Sequence, residues 1–228
     1  MITEHEIWLY GSRARGSADE ASDTDVLVVG CPATAPDISA VYYYPRVCIS
    51  SYDWTEIEAM WSYGSLFLHH LKTEAIRLDS DPSEHGRLAE LLNRLPPFTR
   101  ARHDLMTFRQ AATEARRSLD DHGWPDLELH VMATVVRHAA ILGAYCVGMP
   151  DYGRETPFAT IRPHLRYSGQ QIDRLARLAT EFRYLPLGDP RWEKRTRVGL
   201  DWLTDVETFL EDLGPLIDGY EALLRTTS

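Results

Sequence analysis

Two neighbouring stretches constrain the fold of this chain more than any other: Tyr10-Gly11-Ser12-Arg13-Ala14-Arg15-Gly16-Ser17 and Ser22-Asp23-Thr24-Asp25-Val26-Leu27-Val28-Val29. The apolar Ile7-Trp8-Leu9-Tyr10 predicts a short strand that runs straight into a Gly-Ser turn. Gly11 and Gly16 carry no Cβ, so the backbone N–H groups of that turn and the Ser12 hydroxyl are free to approach an anion closely. Asp25 to Gly30 predicts a second strand, and its Val-Leu-Val-Val run is the pattern of one buried on both faces. Side chains alternate along a strand, so Asp23 and Asp25 at its mouth share one face. Paired carboxylates bind a hard divalent cation, Mg²⁺ with Mn²⁺ as a substitute. A phosphate cradle beside such a cation is the equipment of phosphoryl or nucleotidyl transfer.

At these residues the chain resembles the DNA polymerase beta-like nucleotidyltransferase superfamily, whose signature is Gly-Ser, a short helix, then Asp-x-Asp on the next strand. Gly11-Ser12 and Asp23-Thr24-Asp25 fit that order, and the Gly-Ser-Arg-Ala-Arg-Gly wording is most similar to the small bacterial members. The resemblance implies an α+β protein: a small mixed β-sheet, palm-like nucleotidyltransferase domain followed by an all-helical domain. It implies Mg²⁺-dependent transfer of a nucleoside monophosphate from an NTP or dNTP to an acceptor hydroxyl, with release of pyrophosphate. The acceptor would be a small molecule, a protein side chain or a single-stranded oligonucleotide, the last as a template-independent polymerase in phage defence. Carried over residue by residue, Asp23 and Asp25 would hold the metal, Gly11 and Ser12 would cradle the phosphates, and Arg13 or Arg15 would offset their charge.

The family also carries a third carboxylate on a later strand. Here Arg46-Val47-Cys48-Ile49-Ser50 offers no acid, and Cys48 stands nearest the expected place. Asp53, Glu74 and Asp79 form a short list of replacements, although Asp53, followed by Glu56, fits a helix N-cap better. The missing acid is the main support for an alternative reading, an antitoxin-like binding module of the same fold that neutralises a partner protein encoded nearby.

A formal net charge of −10 over 228 residues argues against a broad surface for duplex nucleic acid, which clustered Lys and Arg would have to supply. The three cysteines, Cys31, Cys48 and Cys146, form no C-x-x-C pair and read as reduced thiols. Met1 to Glu6 is acidic and has no apolar leader pattern, and the longest apolar run, Met132 to Met149, is interrupted by Arg137-His138. That run reads as a buried core helix rather than a membrane span, and the expected location is cytoplasmic.

Farther along, Val41 to Tyr44 and Arg46 to Ser50 predict strands, Thr55 to Leu71 a helix bent at Gly64-Ser65, Ala75 to Leu78 an edge strand and Glu84 to Leu95 a short helix. Pro96-Pro97 then marks the boundary between a catalytic domain, 1–95, and a helical domain, 96–228. Helices are predicted over Arg100 to Leu119, Asp126 to Val147, Gly169 to Tyr184, Pro190 to Leu213 and Pro215 to Leu224. Asp126 to Val147 is apolar nearly all round and should be central. Arg137 within it either contacts the triphosphate or makes a structural salt bridge. Asp151-Tyr152-Gly153-Arg154 either offers a base-stacking Tyr or merely joins helices, and Arg191 to Arg197 is either a single-strand groove or a solvated face. The adjacent His69 and His70 point about 100° apart on a helix, a poor geometry for a shared metal.

Overall fold

A computed structural model describes residues 5–18, 20, 22–30, 44, 46–79, 86–122, 125–166, 169–181 and 201–227. Strand β1 (His5–Tyr10) pairs antiparallel with β2 (Thr24–Gly30) in a register that runs from His5 opposite Gly30 to Tyr10 opposite Asp25. Strand β3 (Val47–Tyr52) lies parallel to β2, with Asp25 opposite Cys48. The two-residue β4 (Ile76–Arg77) closes the other edge against β1, so the mixed sheet has the order β3-β2-β1-β4.

Alternation along the strands sorts the core into two layers. Trp8, Leu27 and Val29 face Ile57 of α1 (Trp54–Ser62), Leu68 and Leu71 of α2 (Leu66–Glu74), and Leu88 and Leu92 of α3 (Arg87–Asn93). Ile7, Val26 and Val28 form a smaller cluster on the opposite face with Val47 and Leu78. Val26, Leu27 and Val29 are wholly buried, as a strand apolar on both faces requires.

The single bent helix expected over Thr55 to Leu71 is two helices. Gly64 adopts φ +66° and the Ser65 hydroxyl accepts from Phe67 N at 3.2 Å, which restarts the helix after a break rather than a bend. A Cβ on Gly64 would lie 2.3 Å from Pro96 O and 2.4 Å from Pro97 O, so the returning chain packs into the space a side chain would take. His69 fixes that return with Nε2 3.1 Å from Pro96 O.

The chain divides into two compact units, Met1–Thr99 and Arg100–Ser228. Its second unit is built from α4 (Ala101–His122), α5 (Pro125–Cys146), α6 (Thr156–Ile161), a 3-10 turn (Arg162–His164), α7 (Gly169–Glu181) and α8 (Asp201–Thr227). α5 packs against α4, α6, α7 and α8. Small residues permit this: Ala133, Ala139, Ala140 and Ala144 are buried, and a Cβ on Gly143 would lie 2.9 Å from Leu213 Cδ2. Among the described residues one stretch, Leu127–Cys146, is long and apolar enough to cross a membrane, and 61% of it is buried within the protein. Burial beside Glu221 pushes the Cys146 thiol up to about 12.

The break expected at Gly214-Pro215 does not occur, and α8 runs through it. Pro215 cannot donate to the carbonyl four residues back. Arg109 of α4 donates from Nη2 to the neighbouring Leu210 O at 2.9 Å, and Leu210, Leu213 and Ile217 are fully buried on both sides of the proline, so packing outweighs the lost bond. Tyr152 is buried, and Asp151 Oδ1 accepts from Gly153 N and Thr156 Oγ1, so this segment joins helices and offers no ring for base stacking. Of the strand expected over Val41 to Tyr44 all but Tyr44 lies outside the described residues, as do the basic run Arg191 to Arg197 and Cys31.

Candidate active site

The turn after β1 is one helical turn. Arg15 N donates to Gly11 O at 3.1 Å, Gly16 N to Arg13 O at 3.1 Å and Ser17 N to Ser12 O at 2.9 Å. Its first amides, those of Ser12, Arg13 and Ala14, are the ones a helical turn does not satisfy by its own bonding. Gly11 enters it at φ +77°, a conformation that favours glycine. A Cβ there would also lie 2.3 Å from Asp25 Oδ2, so the absent side chain leaves the Asp25 carboxylate lying directly against the turn. The register that sets Tyr10 opposite Asp25 produces this contact.

Ser22 and Thr24 are buried, whereas Asp23 is exposed and Asp25 is half-buried, so the alternation turns both acids away from the core at the strand's start. Thr24 N donates to Arg46 O at 3.0 Å, and Arg46 takes φ +52°, a left-handed conformation unusual for a side chain of its size. It leads directly into β3, whose exposed Cys48 stands beside Asp25.

The short list of further acids separates by place. Asp53 caps α1, with Oδ1 accepting from Glu56 N at 2.8 Å and Glu56 Oε2 accepting from Asp53 N at 2.8 Å. Asp79 accepts from Ile7 N at 3.1 Å and pairs with Arg77 at 2.9 Å, toward the other end of β1. Glu74 alone of the three reaches the turn. It accepts from Gly11 N and from Arg15 Nη1, and its Oε1 lies 2.6 Å from His70 Nε2, one helical turn earlier on α2. Only 4% of its side chain is exposed. Burial raises its pKa, but the hydrogen bonds and charges of His70 and Arg15 outweigh burial and hold it below the ordinary glutamate range.

Both arginines of the motif have partners within the protein, although Arg15 remains partly open to solvent. Arg13 Nη2 donates to Ser22 O at 3.0 Å, tying the turn to the approach to Asp23, and Arg15 pairs with Glu74. Tyr10 borders the same place: its ring stacks edge-on against Phe67 and His70, its hydroxyl lies 3.2 Å from Ser50 Oγ, and burial raises its pKa. Arg137 belongs to the helical unit, where Nη2 donates to Tyr152 O at 3.1 Å. The structure therefore brings together Gly11, Ser12, Arg13, Arg15 and the Asp23–Asp25 pair within one sheet end, and adds His70 and Glu74. Their four-residue spacing on a helix was the signal in the sequence that these two act together.

Residues 3–43 match the family model described as a nucleotidyltransferase domain, a stretch that contains the turn and both aspartates. No curated protein matches the chain. The match, the mixed sheet, the turn after its first strand and the aspartates at the start of its second are together consistent with a nucleotidyltransferase domain of the polymerase beta-like superfamily in the first part of the chain.

Proposed function

We propose that the first unit binds an NTP or dNTP and transfers its nucleoside monophosphate to an acceptor hydroxyl with release of pyrophosphate. One observation carries this reading: the Asp25 carboxylate lies against the Gly-Ser turn in the space that a Cβ on Gly11 would fill, so a cation-binding acid and a phosphate-binding backbone adjoin. Among the described residues no group of three or more His, Cys, Asp or Glu side chains is arranged to hold a metal ion. Two carboxylates still fit Mg²⁺, which usually takes one or two protein carboxylates and completes its shell with substrate phosphates and water. Asp23 and Asp25 would hold it, and when bound it supplies charge neutralisation at the phosphates. Nucleotidyltransferases generally use divalent ions, and Mg²⁺, with Mn²⁺ as a substitute, is our assignment.

The chain's own residues supply alignment. Ser12 and the first amides of the turn receive the phosphates, while Arg13 holds the turn to the segment that carries Asp23. In-line attack by the acceptor oxygen at the α-phosphorus then breaks the bond to the departing pyrophosphate. We assign the acceptor to the small-molecule, protein side-chain or single-stranded oligonucleotide classes, with a phage-defence polymerase as one form of the last, and the location to the cytoplasm.

Incubation with each labelled NTP and dNTP, with Mg²⁺ or Mn²⁺, and separation of products on a gel tests the reading. Transfer is expected to fall by about 10³-fold or more in Asp23→Ala plus Asp25→Ala; transfer that survives the double substitution defeats the metal assignment. A second reading, the antitoxin-like module that neutralises a neighbouring partner protein, is favoured by the exposed Cys48 beside Asp25, where an acid would complete the site. It is the reading that stands if no nucleotide yields product and the partner binds tightly.

A further inference from the structure

We propose that Glu74 is the positioning residue of the nucleotide-binding turn, and that Arg15 acts on the nucleotide through Glu74 rather than by touching it. The inference rests on the transfer reading given above. Glu74 is the last residue of α2, its side chain almost wholly buried, and its carboxylate gathers three donors from two elements: Gly11 N and Arg15 Nη1 from the turn, and His70 Nε2 from its own helix. A buried carboxylate is costly unless its oxygens are met by such donors, and charge-assisted donors are the strong ones. Here they tie the first and fifth residues of the Gly11–Arg15 turn to a helix that is itself anchored through Leu68 and Leu71 in the core.

Two consequences follow from the charges. Arg15 and Glu74 form a neutral pair, so Arg15 has little net field left to attract a phosphate. The Gly11 amide is also spent on Glu74, so the phosphates meet the amides that follow it. On the opposite side Arg13 ties the same turn to Ser22 O. The turn is therefore strung between α2 and the approach to Asp23, and Glu74 fixes the peptide at Gly11, against which Asp25 Oδ2 rests. Releasing Glu74 frees the Gly11 peptide to rotate and takes the following amides out of line with the two aspartates.

Arg15→Ala, Glu74→Ala and the double variant, made in the full chain, test this with two readouts. One is amide hydrogen exchange of peptides covering residues 10–17 and of α4 to α8; the other is affinity for ATP, GTP, CTP, UTP and their deoxy forms with Mg²⁺. Glu74→Ala is expected to speed exchange in the turn roughly 10-fold or more, to leave the helical unit unchanged and to weaken nucleotide binding roughly 10-fold. The double variant should bind no more weakly than Glu74→Ala alone, because partners acting through one contact are not additive. Additive losses would mean that Arg15 meets the phosphate itself and would overturn the proposal. So would unchanged exchange in the turn, or faster exchange with unchanged affinity. Glu74→Gln keeps the volume and an acceptor for Gly11 N while removing the ion pair; it should fall between wild type and Glu74→Ala on both readouts, and it carries the test if the alanine variant does not fold. If wild-type protein binds none of the nucleotides, the transfer reading fails and exchange in the turn alone decides whether Glu74 holds it.

Discussion

A glutamate with a nearly buried side chain lies near each end of β1, Glu6 on the strand itself and Glu74 on α2, and they are used differently. At the start of the strand Glu6 accepts from Arg87 N at 2.6 Å, Leu88 N at 3.3 Å and Trp8 Nε1 at 3.1 Å, so it caps α3, whose own N-cap, Gly86, has no side chain to offer. Beyond the end of the strand Glu74 accepts from one backbone amide and pairs with two side chains that can carry positive charge. Glu6 joins structural elements through neutral donors. Glu74 joins a helix to the turn that lies against Asp25, and two of its three partners are the side chains of Arg15 and His70. A buried carboxylate does not by itself mark a functional site; the company it keeps distinguishes the brace from the cap.

Glycine substitutions separate the two ends most sharply. Gly11→Ala places a methyl group 2.3 Å from Asp25 Oδ2 on a backbone at φ +77°, so it should cost about 3 kcal/mol or more and abolish nucleotide binding. At the other end, Gly86→Ala meets only the tips of Arg77 and Glu6 at 2.7 Å, at an ordinary φ of −82°; about 1 kcal/mol is expected, read from urea unfolding followed by tryptophan fluorescence. Between these two in size, Glu6→Ala strands two helix-start amides and the Trp8 indole, and should destabilise by about 2 kcal/mol while nucleotide affinity of the folded protein stays unchanged. A drop in affinity there as large as that of Glu74→Ala would erase the distinction between the two ends.

The smallest effect is one of pH. Glu74 titrates below its ordinary range when folded, so its contribution to stability is fully present above the ordinary glutamate pKa and is lost as pH falls through the depressed value. Asp79 adds to the same acid limb: burial raises its pKa, but hydrogen bonds from Arg77 and the Ile7 amide outweigh that and hold it low. Urea midpoints measured down through the acid range should therefore decline, and Glu74→Gln should flatten the decline without removing the part that Asp79 supplies. An acid limb unchanged in Glu74→Gln would show that the carboxylate is not held ionised at the turn.

Much of the first unit was legible because its signals are local. Gly11 and Gly16 announce the turn, Val26 to Val29 the buried strand, and Asp53 with Glu56 the start of α1. Where the reading failed, a partner distant in sequence had intervened. The helix predicted through Gly64-Ser65 is broken because Pro96 and Pro97 pack against Gly64, and the helix predicted to stop at Gly214-Pro215 continues because Arg109 and a buried apolar face hold it. Nothing within the motif reveals that Arg15, expected to offset phosphate charge, also pairs with Glu74 far along the chain.

From the sequence alone follow the first two strands with the turn between them, the face that the two aspartates share and the conformational freedom of that turn, because periodicity and the missing Cβ of glycine act within a few residues. The three-dimensional packing alone decided that Asp25 adjoins Gly11 and that Glu74 rather than Asp53 or Asp79 reaches the turn, while the register of β3 against β2 set Cys48, already the nearest candidate by sequence, opposite Asp25. Those outcomes depend on strand register and on the docking of α2. Both are set by the burial of Trp8, Leu27, Leu68 and Leu71 in one core, a collective property to which each residue contributes and which no single stretch specifies.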